Sequence, residues 1–174
     1  MIPNVLSIAG SDPSGGAGIQ ADIKAASANG AFAMAAITAL TSQNTLGVTG
    51  IHLLPAYVVQ DQIAAIFADI RVDAIKIGMI ANADIARGVA QTLQGHVGVP
   101  IVLDPVVIAK GGAVLLQPDA VNKLRDLLLP LATVLTPNLP EASHLLNTST
   151  ATTRDEMVTQ GSELCALGAR AVLI

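Results

Sequence analysis

One pattern recurs along this chain and restricts its fold more than any other: a short apolar run rich in β-branched residues, then a loop, then apolar residues at helical spacing. The apolar runs span residues 5–9, 33–40, 74–77, 100–103, 133–135 and 171–174. Most are apolar on successive positions, so both faces need cover, which is the requirement of a parallel sheet with helices on each side. Between them, Val59, Ile63 and Phe67 fall on one helical stripe, as do Ile85, Val89 and Leu93, and then Val121, Leu124 and Leu128. A last helix is announced by Thr153 followed three positions later by Glu156, the spacing of a capping box, and Gly168 is placed to end it. The alternation predicts an α/β protein, a three-layer sandwich around a mostly parallel central sheet.

Composition narrows the rest. At 174 residues the chain has the length of a single domain, and with 52% hydrophobic but only 2% aromatic residues its core must be filled by small aliphatic side chains. The formal net charge of −4 comes without any run of Lys or Arg, which argues against nucleic acid as a partner. Polar residues interrupt every apolar stretch before the roughly 18 residues that a spanning helix needs, and the opening Met1-Ile2-Pro3-Asn4 has no basic leader, so no membrane partner and a cytoplasmic protein are expected. Cys165 has no second cysteine to pair with and lies in the apolar stretch 164–167, which reads as helix and predicts a core position. Residues 44–54, with Gly47 and Gly50, read as a turn and a short edge strand serving as a flap or dimer contact. The final run, 171–174, reads as a buried central strand, which predicts a C-terminally incomplete fold.

Ligands of open parallel sheets bind beyond the carboxyl ends of the strands, so the residues following each run are the candidates. The first run leads into Gly10-Ser11-Asp12-Pro13-Ser14-Gly15-Gly16-Ala17-Gly18 and then a helix beginning near Gln20 and Asp22. Such a loop either lets backbone approach a ligand or is only a tight turn. Later runs lead into Gln43, Met79, Asp104-Pro105-Val106 and Asn138-Leu139-Pro140-Glu141. The Gln43 amide donates and accepts together, matching an aminopyrimidine edge, or else faces solvent; Met79 offers a soft wall for a ring. Asp104 and Glu141 supply the hard oxygens that Mg²⁺ prefers, or act as caps of a turn and a helix. Lys110, before two glycines, either meets phosphate or is simply solvated. His52, His96 and His144 lie in unrelated segments without acidic or cysteine partners at ligand spacing, so neither a zinc site nor a histidine triad is indicated.

Taken in order, residues 9–22, 38–44, 76–79, 103–106 and 136–142 resemble the signature segments of the bacterial bifunctional hydroxymethylpyrimidine and hydroxymethylpyrimidine-phosphate kinases. The resemblance implies a ribokinase-like fold, a homodimer, and ATP-dependent phosphorylation of 4-amino-5-hydroxymethyl-2-methylpyrimidine and then of its monophosphate in thiamine diphosphate synthesis. It implies a substrate site of Gly10, Asp12, Ala17, Asp22, Gln43, Met79 and Val106, in which Gln43 reads the pyrimidine edge, Asp22 faces the hydroxymethyl end and Met79 and Val106 pack on the ring. It further implies that Asn138 and Glu141 serve the ATP phosphates and that Asp104 and Glu141 hold Mg²⁺. Members of the family carry their catalytic residue in a Gly-Thr-Gly-Cys-Thr-like anion-hole loop that none of these residues matches. Two alternatives stand beside the kinase: a non-catalytic pyrimidine-binding module, and a pyridoxal-type kinase of the same superfamily.

Overall fold

The computed structural model describes residues 1–106 and 118–174. Strand β1 (Asn4–Ala9) runs parallel to β2 (Phe32–Ile37) on one side and to β5 (Ala74–Ile77) on the other, with β6 (Ile101–Leu103) and β7 (Val134–Leu135) continuing the sheet in the order β2-β1-β5-β6-β7. Every pairing within that sheet is parallel, as strands apolar on both faces require. Leu6, Ile8, Ile77 and Leu103 are fully buried, and each such side chain contributes about 1.5–3 kcal/mol relative to exposure.

Helix α1 (Gly18–Ala28) packs on β1 and β2, and α2 (Ala56–Asp69) packs on β2 and on α3 (Ala83–Gln94). The expected stripes face the core: Val59 and Ile63 of α2, and Ile85, Val89 and Leu93 of α3, are all buried. Helix α4 (Pro118–Lys123) widens into a π-helical turn at Leu124–Leu128 and then tightens into a 3-10 turn at Leu129–Leu131. The change of pitch resets the phase of the stripe, and consecutive Leu128 and Leu129 are both buried. Helix α5 (Leu139–Leu146) precedes α6 (Arg154–Ala166), whose Thr153–Glu156 capping box forms as the sequence predicts and whose end is followed by Gly168 at φ 124°. Among the described residues, no helix is long and apolar enough to cross a membrane.

Three expectations are corrected. The run 33–40 is not one strand: it breaks at Thr38, after which β3 (Ala39–Asn44) pairs antiparallel with β4 (Gly47–Leu53) as a separate two-stranded sheet. Thr38 is wholly buried, its N–H donates to the Ala9 carbonyl at 3.0 Å, its carbonyl accepts from Leu54 N–H, and its hydroxyl donates to the Met79 carbonyl at 2.7 Å. These bonds tie up both sides of the backbone and turn the chain out of the main sheet. Residues 44–54 supply a turn and the short strand β4, as the sequence predicts, paired with β3 in a hairpin beside the main sheet. Residues 171–174 make only a single bridge, Val172 to Leu135, and Leu173 is 68% exposed, so they do not form a buried central strand. Cys165 is exposed: the buried face of α6 is Gln160 and Leu164, four apart, and the next residue points about 100° away.

Gly18 shows how tightly the first loop is closed. Its φ is +56°, and a Cβ there would lie 2.3 Å from the Gly10 carbonyl oxygen, which accepts from Ile19 N–H. Gly30 shares a positive φ of +79° but has open space around it. Gly30→Ala is therefore expected to lower stability by only about 1 kcal/mol, the conformational term. Gly18→Ala should lower it by at least about 2 kcal/mol more, because backbone has to move. Chemical denaturation of the two variants checks this, and equal losses would show that the Gly10–Gly18 approach is unimportant.

Candidate functional site at the carboxyl edge of the sheet

Asp12 organises the loop that follows β1. Its side chain is buried, and its two oxygens accept from Ser14 N–H at 2.9 Å, Ser14 hydroxyl at 2.8 Å, Gly16 N–H at 3.0 Å and Ala17 N–H at 2.8 Å. Its own N–H donates to Gln20 Oε1 at 2.7 Å. Burial opposes ionisation of this carboxyl, yet the hydrogen bonds from Ser14, Ala17 and Gly16 outweigh it and hold the pKa below its ordinary value. Asp12 and Ala17, both placed in the substrate site by resemblance, thus spend their polar groups on one another, and the loop they brace carries Gly10. A Cβ on Gly10 would stand 3.1 Å from the Met79 sulfur, so glycine lets that side chain lie against the backbone.

Met79 and Val106 are brought together as expected. With Ala39, Ala81 and Ile51 they form a small apolar cluster apart from the main core. The sequence gives little sign of the three added residues, since two are alanines and Ile51 arrives only through the hairpin. Gln43 lies on β3 beside a register shift between Ser42 and Gln43, not in a loop after a strand of the main sheet. It is half-buried, and its Oε1 accepts from the Thr41 hydroxyl at 3.3 Å, while that hydroxyl also donates to the Ser11 carbonyl at 2.8 Å. The hairpin and the first loop are further joined by Ser11 N–H donating to the Ala39 carbonyl at 2.8 Å.

A charged group joins Asp22 and Asp104, both singled out from the sequence, through Lys76, to which sequence reasoning gave no role. The Lys76 ammonium on β5 lies 3.2 Å from Asp22 Oδ2 on α1 and 3.4 Å from Asp104 Oδ2 just after β6. The Ser7 hydroxyl donates to the same Asp22 oxygen at 2.6 Å. Lys76 sits in a strand that reads as apolar, and its polar character was the one available signal. Asp104 points at this lysine and does not cap the turn before Pro105.

Asn138 and Glu141 meet at the start of α5 as a reciprocal capping box: the Asn138 side chain accepts from Glu141 N–H and the Glu141 carboxylate accepts from Asn138 N–H, each at 2.9 Å. Glu141 is buried. Lys110 lies outside the described residues. His96 stacks on Phe67, and the His144 ring meets the Pro140 carbonyl, so these two histidines have structural partners. Among the described residues no three His, Cys, Asp or Glu side chains gather closely enough to hold a metal on their own.

The lowered pKa of Asp12 fixes the sign of a pH effect. A carboxyl with a depressed folded-state pKa adds stability above its unfolded value, near 3.8, and that stability is lost as pH falls through the folded value. Asp12→Ala also strands the loop N–H groups, so it is expected to lower stability by about 2–4 kcal/mol at pH 7. Paired denaturation curves should show the gap between variant and parent narrowing below about pH 4. An unchanged gap at pH 3 would show that the ionised form is not what closes the loop.

A family model for phosphomethylpyrimidine kinase matches residues 12–174. The hydroxymethylpyrimidine/phosphomethylpyrimidine kinase of Salmonella typhimurium is 50% identical over 171 residues, a match that covers 98% of this chain and 64% of that protein. The crystal structure of phosphomethylpyrimidine kinase from Clostridium difficile superposes with a TM-score of 0.91 at 42% identity, covering 98% of this chain and 73% of that one. A pyridoxal kinase from Staphylococcus aureus, in complex with AMP-PCP and pyridoxal, superposes with a TM-score of 0.87 at 31% identity, covering 99% of this chain and 61% of that one. The parallel sheet, its helices and the side hairpin are thus those of the ribokinase-like vitamin kinases, and the chain belongs to the phosphomethylpyrimidine kinase family.

Proposed function

We propose that the protein transfers phosphate from ATP to 4-amino-5-hydroxymethyl-2-methylpyrimidine and then to its monophosphate, in the synthesis of thiamine diphosphate. What supports this reading is an apolar pair, Met79 with Val106, on the segments leaving β5 and β6, together with the amide of Gln43 on the hairpin that adds Ile51 to their cluster and the carboxylate of Asp22 tied through Ser7 to β1. Such a site offers a flat ring a dry face, a paired donor and acceptor at its edge, and an acceptor for a hydroxyl or amine. Gly10 allows the close approach, while Asp12 and Ala17 hold the loop in place. Phosphoryl transfer asks the protein chiefly to position reactants and neutralise charge, which suits groups scattered over several loops.

Magnesium fits the donor set in part. Asp104 and Glu141 provide hard carboxylate oxygens, but Lys76 already pairs with one Asp104 oxygen and Asn138 N–H with one Glu141 oxygen. That arrangement suits a cation that keeps most of its waters and is held mainly through phosphate. Mg²⁺ bound there would neutralise phosphate charge; Asn138 and Glu141 would orient its hydration shell next to ATP. The AMP-PCP complex of the Staphylococcus aureus relative supports ATP as the donor. The reading includes a cytoplasmic homodimer joined through the hairpin, on which Leu46 is 91% exposed.

The test is a reaction of the protein with Mg·ATP and the free pyrimidine, followed by mass spectrometry for mono- and diphosphate, with pyridoxal as competing acceptor. Preferential phosphorylation of pyridoxal would replace this reading with the pyridoxal-type one. Within it, Gln43→Leu is expected to weaken pyrimidine binding about tenfold or more by calorimetry, since an unmet polar edge costs roughly 1–3 kcal/mol. Glu141→Gln should depress turnover at least about tenfold while leaving pyrimidine affinity within a factor of about two, the mark of a group acting on the transferred phosphate. Turnover close to the parent's would leave Glu141 as a helix cap alone.

A further inference from the structure

We infer that Lys76 is a positioning residue of the pyrimidine site, fixing one oxygen of Asp22 so that the other is presented to a neutral donor group on the ligand. The inference rests on the functional reading above for the identity of that ligand. It stands on the geometry of four residues from two strands, a helix and the segment just after β6. Asp22 Oδ2 receives both the Ser7 hydroxyl at 2.6 Å and the Lys76 ammonium at 3.2 Å, whereas Oδ1 takes part in none of the described hydrogen bonds. A carboxylate held through one oxygen by two donors has lost its rotational freedom about χ2, and its remaining oxygen points in one direction.

The room for the ammonium is built into the backbone. A Cβ on Gly78 would lie 2.8 Å from Lys76 Nζ and 3.1 Å from the Ala9 Cβ, so any other residue there would press on the lysine from a strand end that cannot retreat. The second carboxylate matters as much. Asp104 Oδ2 lies 3.4 Å from the same nitrogen, so one cation serves two anions that arrive from separate elements. The three charges sum to −1. An ammonium this close to two carboxylates in a half-buried site, with side-chain exposures of 22–36%, is held more firmly than a lone surface pair, whose coupling is small.

The chemistry of the ligand at this end follows. A net negative group with one unclaimed oxygen accepts from a hydroxyl or amine and repels phosphate. The acceptor molecule must therefore present a donor to Asp22, the hydroxyl or the amine in the free pyrimidine and the amine in the monophosphate. Lys76 itself touches no ligand in this scheme and acts through Asp22 alone.

Calorimetry with the free aminopyrimidine alcohol, on the parent, Lys76→Met, Lys76→Arg, Asp22→Asn and the Lys76→Met/Asp22→Asn double variant, tests this. Lys76→Met should weaken binding about tenfold, Lys76→Arg should restore most of it, and Lys76→Met should have little further effect once Asp22 is asparagine. Equal losses from Lys76→Met in both backgrounds would overturn the inference, because a merely structural lysine would act regardless of Asp22. A second measurement needs no ligand: in protein labelled with ¹³C at aspartate carboxyls, Lys76→Met should displace the Asp22 resonance at neutral pH while the amide spectrum beyond the site stays as in the parent. An unmoved Asp22 signal overturns the inference even where the pyrimidine binds. Failure of the parent to bind the pyrimidine would sink the functional reading, and the carboxyl resonance would still decide the role of Lys76.

Discussion

Three successive carbonyls at the end of β1 hold the site together. Those of Ile8, Ala9 and Gly10 accept from the N–H groups of Gly78, Thr38 and Ile19 at 2.9, 3.0 and 3.0 Å. Each partner begins a different segment: the turn carrying Met79, the exit toward the hairpin, and helix α1 with Asp22. A strand paired on both edges and buried on both faces has almost no freedom of its own. The last two residues of β1 and Gly10 after it therefore fix the relative placement of segments that begin 19–59 positions apart in sequence, and the positions of Met79, Gln43 and Asp22 inherit the rigidity of the main core.

Polar groups complete what the backbone begins. Inside the first loop a single ionised carboxylate, Asp12, answers four donors, so the N–H groups of Ser14, Gly16 and Ala17 are satisfied without any ligand. The loop is then preorganised: it need not order itself when a ligand arrives, and binding free energy is not spent on that step. The Ser7–Asp22–Lys76–Asp104 group repeats the principle with charges, fixing side chains from separate elements at the place where the sheet opens to solvent. Beside these polar arrangements Ala39, Met79 and Ala81 form a small buried apolar cluster of their own, with Ile51 and Val106 partly exposed against it.

How much of this was legible in the sequence depends on whether a residue's role is local. The Thr153–Glu156 box, the helical stripes and the strand ends at Met79 and Asp104 were readable because spacing along the chain decides them. The break at Thr38 was not: residues 33–40 are uniformly apolar apart from one threonine, and what turns the chain is a hydroxyl reaching the carbonyl of Met79, 41 positions away. Lys76 was passed over for the same reason, since its partners lie 54 and 28 positions off. Cys165 misled in the opposite sense. An apolar run of four in a helix cannot all face inward, and Leu164 took the one inward position. Asp12 was singled out, but its type alone could not tell a ligand contact from a loop brace.

The wall of the site is made of two parts with different mechanical standing. Met79 and Val106 stand on segments leaving the main sheet, whose neighbours are buried residues of the core. Gln43 and Ile51 stand on a two-stranded hairpin, and two strands alone are marginal in water. The hairpin is held at its base by Thr38 and Leu54, and along one flank by the Ser11–Ala39 and Thr41–Ser11 bonds. Among the described residues its far end, around the exposed Leu46, has no such ties. Local opening free energy follows the density of buried contacts, so it falls from the base toward the tip. Among the described contacts Gln43 is joined to the first loop through the Thr41 hydroxyl, which places the amide proposed to read the ring edge at the boundary between the fixed and the yielding part. The discrimination proposed for Gln43 therefore depends on how far the first loop, through Ser11, extends the stiffness of β1 into the hairpin.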